Sequence, residues 1–153
     1  MIKTLAVGSD PREELKRRVR FLREVEIPML QAVQGEPDHL GTIALRDYSQ
    51  REIQDATRLL SRLSSPLRDV PSSESVQLND AVALRGKADG TTEEFVVHAP
   101  ELVIRAPGYV SADTALGAAV LGRRVGDRVR VTTPDGFRTY VVEGIRRSVP
   151  SPN

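Results

Sequence analysis

The chain has 153 residues, no cysteine, and 22 basic against 21 acidic side chains, for a net charge of +1. Disulfides and thiol ligands are therefore excluded, and the cancelled charge argues against a sequence-specific DNA-binding protein, which would carry a clear basic excess. No apolar run approaches the ~20 residues of a membrane span, and residues 1–7 are too short and weakly apolar for a signal peptide, so a cytoplasmic protein is expected.

The first element is well signalled. Asp10 fits a helix N-cap, Pro11 the first helical position, and Glu13 and Glu14 the first turn, where the positive end of the helix dipole favours acids. Leu15, Val19, Leu22, Met29 and Val33 then mark one apolar seam, interrupted where Glu26 takes an apolar place. Pro28 lies inside this run and predicts a kink or local break. The same stretch holds Arg12, Lys16, Arg17, Arg18, Arg20 and Arg23, six cations in twelve residues, either a solvated helix face or a basic docking surface.

Gly35-Glu36-Pro37-Asp38-His39-Leu40-Gly41 reads as a loop, and Ile53, Ala56, Leu60 and Leu63 mark a second helical seam. Two helices joined by a short loop pack antiparallel, because neither can bury its stripe alone, so a hairpin with its tip near residues 35–42 is expected. An arm of about 20 residues at ~1.5 Å per residue would project on the order of 30 Å. A hairpin lying flat on the rest of the chain is the alternative.

Composition shifts near residues 66–75, where Pro66, Pro71 and Ser72-Ser73-Glu74-Ser75 suggest a linker and divide the chain into residues 1–70 and 71–153. Beyond it, residues 76–78, 81–84, 93–98, 128–132 and 137–142 are strand candidates, with a turn at Lys87-Ala88-Asp89-Gly90 and a hairpin turn at Pro134-Asp135-Gly136. Residues 116–121 read as a short helix stopped by Gly122, with Asp113 as a candidate cap. The fold class is α+β.

Leu121-Gly122-Arg123-Arg124-Val125-Gly126-Asp127 followed by Thr133-Pro134-Asp135-Gly136 resembles the C-terminal domain of the Gre transcript-cleavage factors and their homologues. More weakly, Arg12-Glu13-Glu14-Leu15, Phe21-Leu22 and Pro28 resemble the family's first helix. The resemblance implies an N-terminal antiparallel coiled-coil hairpin and a C-terminal FKBP-like antiparallel sheet with one short helix. It also implies bacterial RNA polymerase as partner, with the C-terminal domain at the rim of the secondary channel and the hairpin inside it, acting as a monomer.

Two departures from the family pattern bear on chemistry. The family's tip reads Gly-Asp-Leu-x-Glu-Asn-Ala-Glu-Tyr, with acids three residues apart that hold a second Mg²⁺ of the polymerase and orient water for RNA cleavage. This chain offers Glu36 and Asp38 two apart across Pro37, on a hairpin about seven residues shorter, roughly one helical turn per arm. Where the family commonly has Ser-Pro before the C-terminal helix, a loop thought to touch the channel rim, here stand Asp113, Thr114, Ala115 and Leu116. The expectation is thus a polymerase-binding regulator that inhibits transcription without cleaving RNA. Such a protein has no catalytic residue, metal or cofactor of its own, and Glu36 and Asp38 face polymerase-bound Mg²⁺. A cleavage or anti-arrest factor with an altered tip is the runner-up, and a free-standing interaction module the third reading.

Other chemistry finds little support. His39 and His98 are the only histidines and have no zinc-site spacing, and neither a P-loop nor a Gly-x-Gly-x-x-Gly is present. Prolyl isomerisation would follow only by fold analogy, and the C-terminal half has no Trp to help line the apolar pocket.

Overall fold

The computed structural model describes residues 10–32, 39–63 and 67–148. N-terminal helices rest on a mixed β-sheet that carries one short helix on its other face.

Helix α1 (Pro11–Phe21) begins as its sequence dictates, the Asp10 carboxylate accepting the Arg12 amide at 3.0 Å. A π-helical turn (Leu22–Glu26) follows, then α2 (Ile27–Ala32). Pro28 has no N–H to donate and its ring crowds the carbonyl four residues back, and the wider turn lies just before it. That turn inserts one residue into the helical phase, which moves the buried stripe off its extrapolated course. Leu15, Val19 and Leu22 are buried as expected, but Met29 is 64% exposed, and Ile27 and Leu30 take the half-buried positions. Val33 lies outside the described residues.

Helix α3 (His39–Arg62) starts inside the segment expected to be loop. Its buried seam runs Ser49, Glu52, Ala56, Leu59 and Leu63, so it continues the apolar spacing into polar side chains. The expected Ile53 and Leu60 flank this seam, half-buried. Contacts between α1–α2 and α3 run in opposite chain directions, from Arg18 to Glu52 and from Glu26 to Ser49.

The strands are β1 (Leu67–Asp69), β2 (Ala81–Gly86), β3 (Thr92–His98), β4 (Tyr109–Ser111), β5 (Arg128–Thr133) and β6 (Gly136–Ser148). Their order is β1-β6-β2-β3-β4, with β5 also on β6. The all-antiparallel expectation fails at one pair, since β4 lies parallel to β3. Parallel neighbours need a crossover, here the irregular residues 99–108. Residues 76–78 form no strand; instead Val76 exchanges backbone hydrogen bonds with Arg123 and Gly122.

β6 is longer than its alternation suggested. A bulge sets Ala83 against Gly144 but Leu84 against Val142, which leaves Glu143 as the extra residue. The bulge resets the two-residue period, so that Val142 and Ile145, three apart, both enter the core. That core also takes Val82, Phe95, Val129 and, from helix α4 (Ala115–Val120), Val120. On the opposite face Ala81, Val96 and Tyr109 meet Leu15, Val19, Ala56, Leu59 and Leu63.

Candidate functional site

The helices grip the sheet through the crossover. Residues 101–105 belong to no strand, and two of their amides are satisfied by acids from α3: Val103 N–H donates to Asp55 at 2.8 Å and Arg105 N–H to Glu52 at 2.8 Å. The Glu52 carboxylate, fully buried, also accepts Arg18 Nε at 2.9 Å and Arg105 Nε at 2.5 Å. Arg105 reaches on to Glu26 at 3.2 Å and Ser49 at 3.3 Å, and Ser49 Oγ donates to Glu26 at 2.5 Å. Burial alone would push the Glu52 carboxyl up, but the bonds from Arg18 and from the Arg105 amide and guanidinium outweigh it and hold it below its ordinary value. Tyr109 Oη donates to the Pro11 carbonyl at 2.6 Å, tying β4 to the start of α1.

Composition and spacing did not point to this cluster. The available signals were Glu26 at an apolar position and Ser49 and Glu52 continuing the seam of α3 backwards from Ala56, four and three residues apart. Arg105, from a segment without periodicity, left none.

The second feature is the loop before α4. Asp113 was the expected helix cap; the cap is Thr114, whose Oγ1 accepts the Gly117 amide at 3.1 Å and donates to the Ser111 carbonyl at 2.7 Å. Asp113 instead accepts Ser111 Oγ at 2.6 Å. Threonine is also a favoured N-cap, and Thr114 has the extended backbone the position requires, so the cap lies one residue further along. Asp113, Thr114 and Ala115 are exposed, whereas Leu116 is half-buried against the core. The loop is pinned from beneath where the Ala112 amide donates to the His98 carbonyl at 2.9 Å.

His98 is buried, its Nδ1 2.8 Å from the Ala99 carbonyl, and burial pushes its pKa down against smaller opposing effects of that contact and of Asp113. An unfolded chain binds a proton at His98 before the folded one does, so stability falls as pH drops below the unfolded value near 6.5. Urea midpoints are expected to decline between pH 7.5 and 5.5, and distinctly less in His98→Asn; equal slopes would assign the decline to other groups.

The six clustered cations differ in their surroundings. Arg12 pairs with Asp10 at 3.3 Å, Lys16 with Glu13 at 3.5 Å and Arg17 with Glu14 at 2.5 Å, while Arg18 turns inward to Glu52. Arg20 and Arg23 are exposed without an acidic partner among the described residues. Glu36 and Asp38 lie outside the described residues, and among the described ones no group of three or more His, Asp or Glu side chains is placed to hold a metal ion. No helix among them is long and apolar enough to cross a membrane.

Residues 71–147 match the family model of the transcription elongation factor GreA/GreB C-terminal domain, a span that takes in β2 to β6 and α4. GreA from Chloroflexus aurantiacus is 31% identical over 94 residues, 61% of this chain and 60% of that protein, so this match spans less than two thirds of the relative's length. GreA from Methylobacterium is 28% identical over 147 residues, covering 88% of this chain and 89% of that one. Among solved structures, GreA factor homolog 1 (Gfh1) of Thermus thermophilus aligns over 87% of this chain and 90% of that one at 25% identity, with a TM-score of 0.42 that is too loose to carry weight. With β2 to β5, the capped loop before α4 and the turn at Pro134–Asp135 all inside the matched span, the chain belongs to the GreA/GreB family of transcription elongation factors.

Proposed function

We propose that the protein regulates transcription by binding bacterial RNA polymerase at its secondary channel, as a cytoplasmic monomer. In this reading residues 71–153 form an FKBP-like domain that docks at the channel rim through Asp113, Thr114 and Ala115. Residues 1–70 form a coiled-coil hairpin that enters the channel. The protein inhibits RNA synthesis and does not cleave RNA, needs no cofactor, and brings Glu36 and Asp38 near polymerase-bound Mg²⁺. The observation that carries the reading is the family match over residues 71–147. The tip supports inhibition over cleavage, because acids two apart across Pro37 do not reproduce the three-residue offset of the cleavage motif, yet two carboxylates near a catalytic cation still act on it through their charge.

The test is a stalled elongation complex scored for polymerase retention, RNA extension and RNA shortening. The full chain should be retained, slow extension and leave RNA length unchanged. Asp113→Ala with Ala115→Arg should weaken retention without loss of thermal stability, since both side chains are exposed. Replacing Glu36 and Asp38 by Ala should relieve inhibition with little change in retention. Shortened RNA would establish the cleavage reading instead, and absence of retention would leave a polymerase-independent interaction module.

A further inference from the structure

The sheet face that receives the helices extends beyond them. Ala81, Val96 and Tyr109 are covered, but toward the β5–β6 hairpin the same face stands open. On β5 the burial alternates, with Val129 and Val131 in the core and Arg128 and Arg130 outside. Register places Arg128 opposite Val141, Arg130 opposite Thr139 and Thr132 opposite Phe137, so these side chains share one surface. Phe137 is 60% exposed, and the Arg130 guanidinium lies 3.8 Å above its ring centroid.

The charge on this surface is uncompensated. Between residues 128 and 148 the acids are Asp135, in the turn, and Glu143, which is engaged by Arg85 at 2.9 Å. Arg128 and Arg130 have no acidic partner among the described residues. They stand two residues apart on one strand, about 7 Å at ~3.4 Å per residue. A whole-chain charge of +1 thus conceals a local cationic strip with an aromatic ring beside it.

We propose that this open face binds single-stranded RNA without sequence preference, Phe137 stacking on a base and Arg128 and Arg130 contacting phosphates. Cations alone would suit any polyanion, including an acidic peptide, but an exposed ring braced by a guanidinium gains little from carboxylates. It gains on the order of ten-fold in affinity from a stacked base. A duplex hides its bases in the helix, so the ring also selects single strands. The inference stands apart from polymerase binding and is read with RNA and the free protein, so either reading can fail without the other.

The test is fluorescence anisotropy of the full chain with a labelled 12-nucleotide oligoadenylate across a salt series. Saturable binding is expected, with log affinity falling against log salt at a slope near −1.4, at about −0.7 per phosphate contacted by two arginines. Arg128→Gln with Arg130→Gln should bring the slope close to zero. Phe137→Leu should weaken binding about ten-fold with the slope unchanged, and Phe137→Trp should equal or exceed the parent, which separates stacking from a folding defect. No binding at low salt, binding of duplex RNA equal to that of single strands, or insensitivity to the substitutions at 128, 130 and 137 would overturn the proposal. Polyglutamate binding with the same sensitivity to substitution would overturn it in favour of an acidic protein partner.

Discussion

Glu52→Ala is expected to lower the unfolding free energy by about 3 kcal/mol, the range for breaking a buried ion pair from one side. The cost comes from what is left behind more than from the pair itself. Arg18, half-buried, and Arg105, more exposed, would both lose the carboxylate that holds their guanidinium groups, and the Arg105 amide would lose its acceptor. Glu52→Gln preserves shape and some hydrogen bonding and should cost less, while Glu13→Gln, from an exposed pair, should fall within experimental scatter. Urea titration at pH 7 measures all three. Because the folded carboxyl titrates below the unfolded value of 4.5, this stabilisation is complete above that value and disappears as pH falls through the lower folded one. A loss under about 1 kcal/mol for Glu52→Ala would mean that the Glu52 ion pairs contribute little to holding the helices on the sheet.

Gly117→Ala should destabilise the protein despite lying in a helix, where the same change usually stabilises by about 1 kcal/mol. A Cβ at position 117 would sit 2.2 Å from the Ser111 carbonyl oxygen and 3.0 Å from Ala112 Cα. Both are backbone atoms, and the Ser111 carbonyl is also the acceptor for Thr114. The loop must therefore move as a unit or the helix must lift from it. Overpacking of this kind costs about 1–3 kcal/mol, and the closeness of the contact puts this case at the upper end, so the steric cost exceeds the gain in propensity. Thermal unfolding of Gly117→Ala beside Ala118→Gly, an exposed site on the same helix, separates the two effects. A melting temperature at or above the parent's would show that the loop yields freely.

The elements with local signals were legible. Asp10 and Pro11 set the start of α1, Gly122 follows the end of α4, and Pro134-Asp135-Gly136 turns the hairpin, because each rule concerns residues adjacent in sequence. What escaped depends on partners far along the chain. β1 and β4 are three residues each, too short to show a period, and take their identity from β6 and β3. The alternation that marks β6 ends at Val142 because the bulge at Glu143 breaks it. Met29 leaves the apolar seam that its spacing predicts because the π turn changes the helical phase before it. For the candidate site, the exposed stretch of Asp113, Thr114 and Ala115 emerged from a motif, although the choice of Thr114 as cap rested on one hydroxyl geometry. Glu52 and Arg105, 53 residues apart, could be joined only by the fold.

The arrangement around α3 is that of a beam on two bearings. Near its end the chain passes into β1, which is stitched to the last residues of β6. Further along, Glu52 and Asp55 rest on the crossover strap at 103–105. A beam with one bearing pivots, whereas a beam with two transmits a sideways push as torque. A load applied to the far end of the helices would press on the strap between β3 and β4, and the lever arm beyond Glu52 determines how strongly. Lengthening the helices would multiply that leverage, and shorter helices on the same bearings make the stiffer instrument.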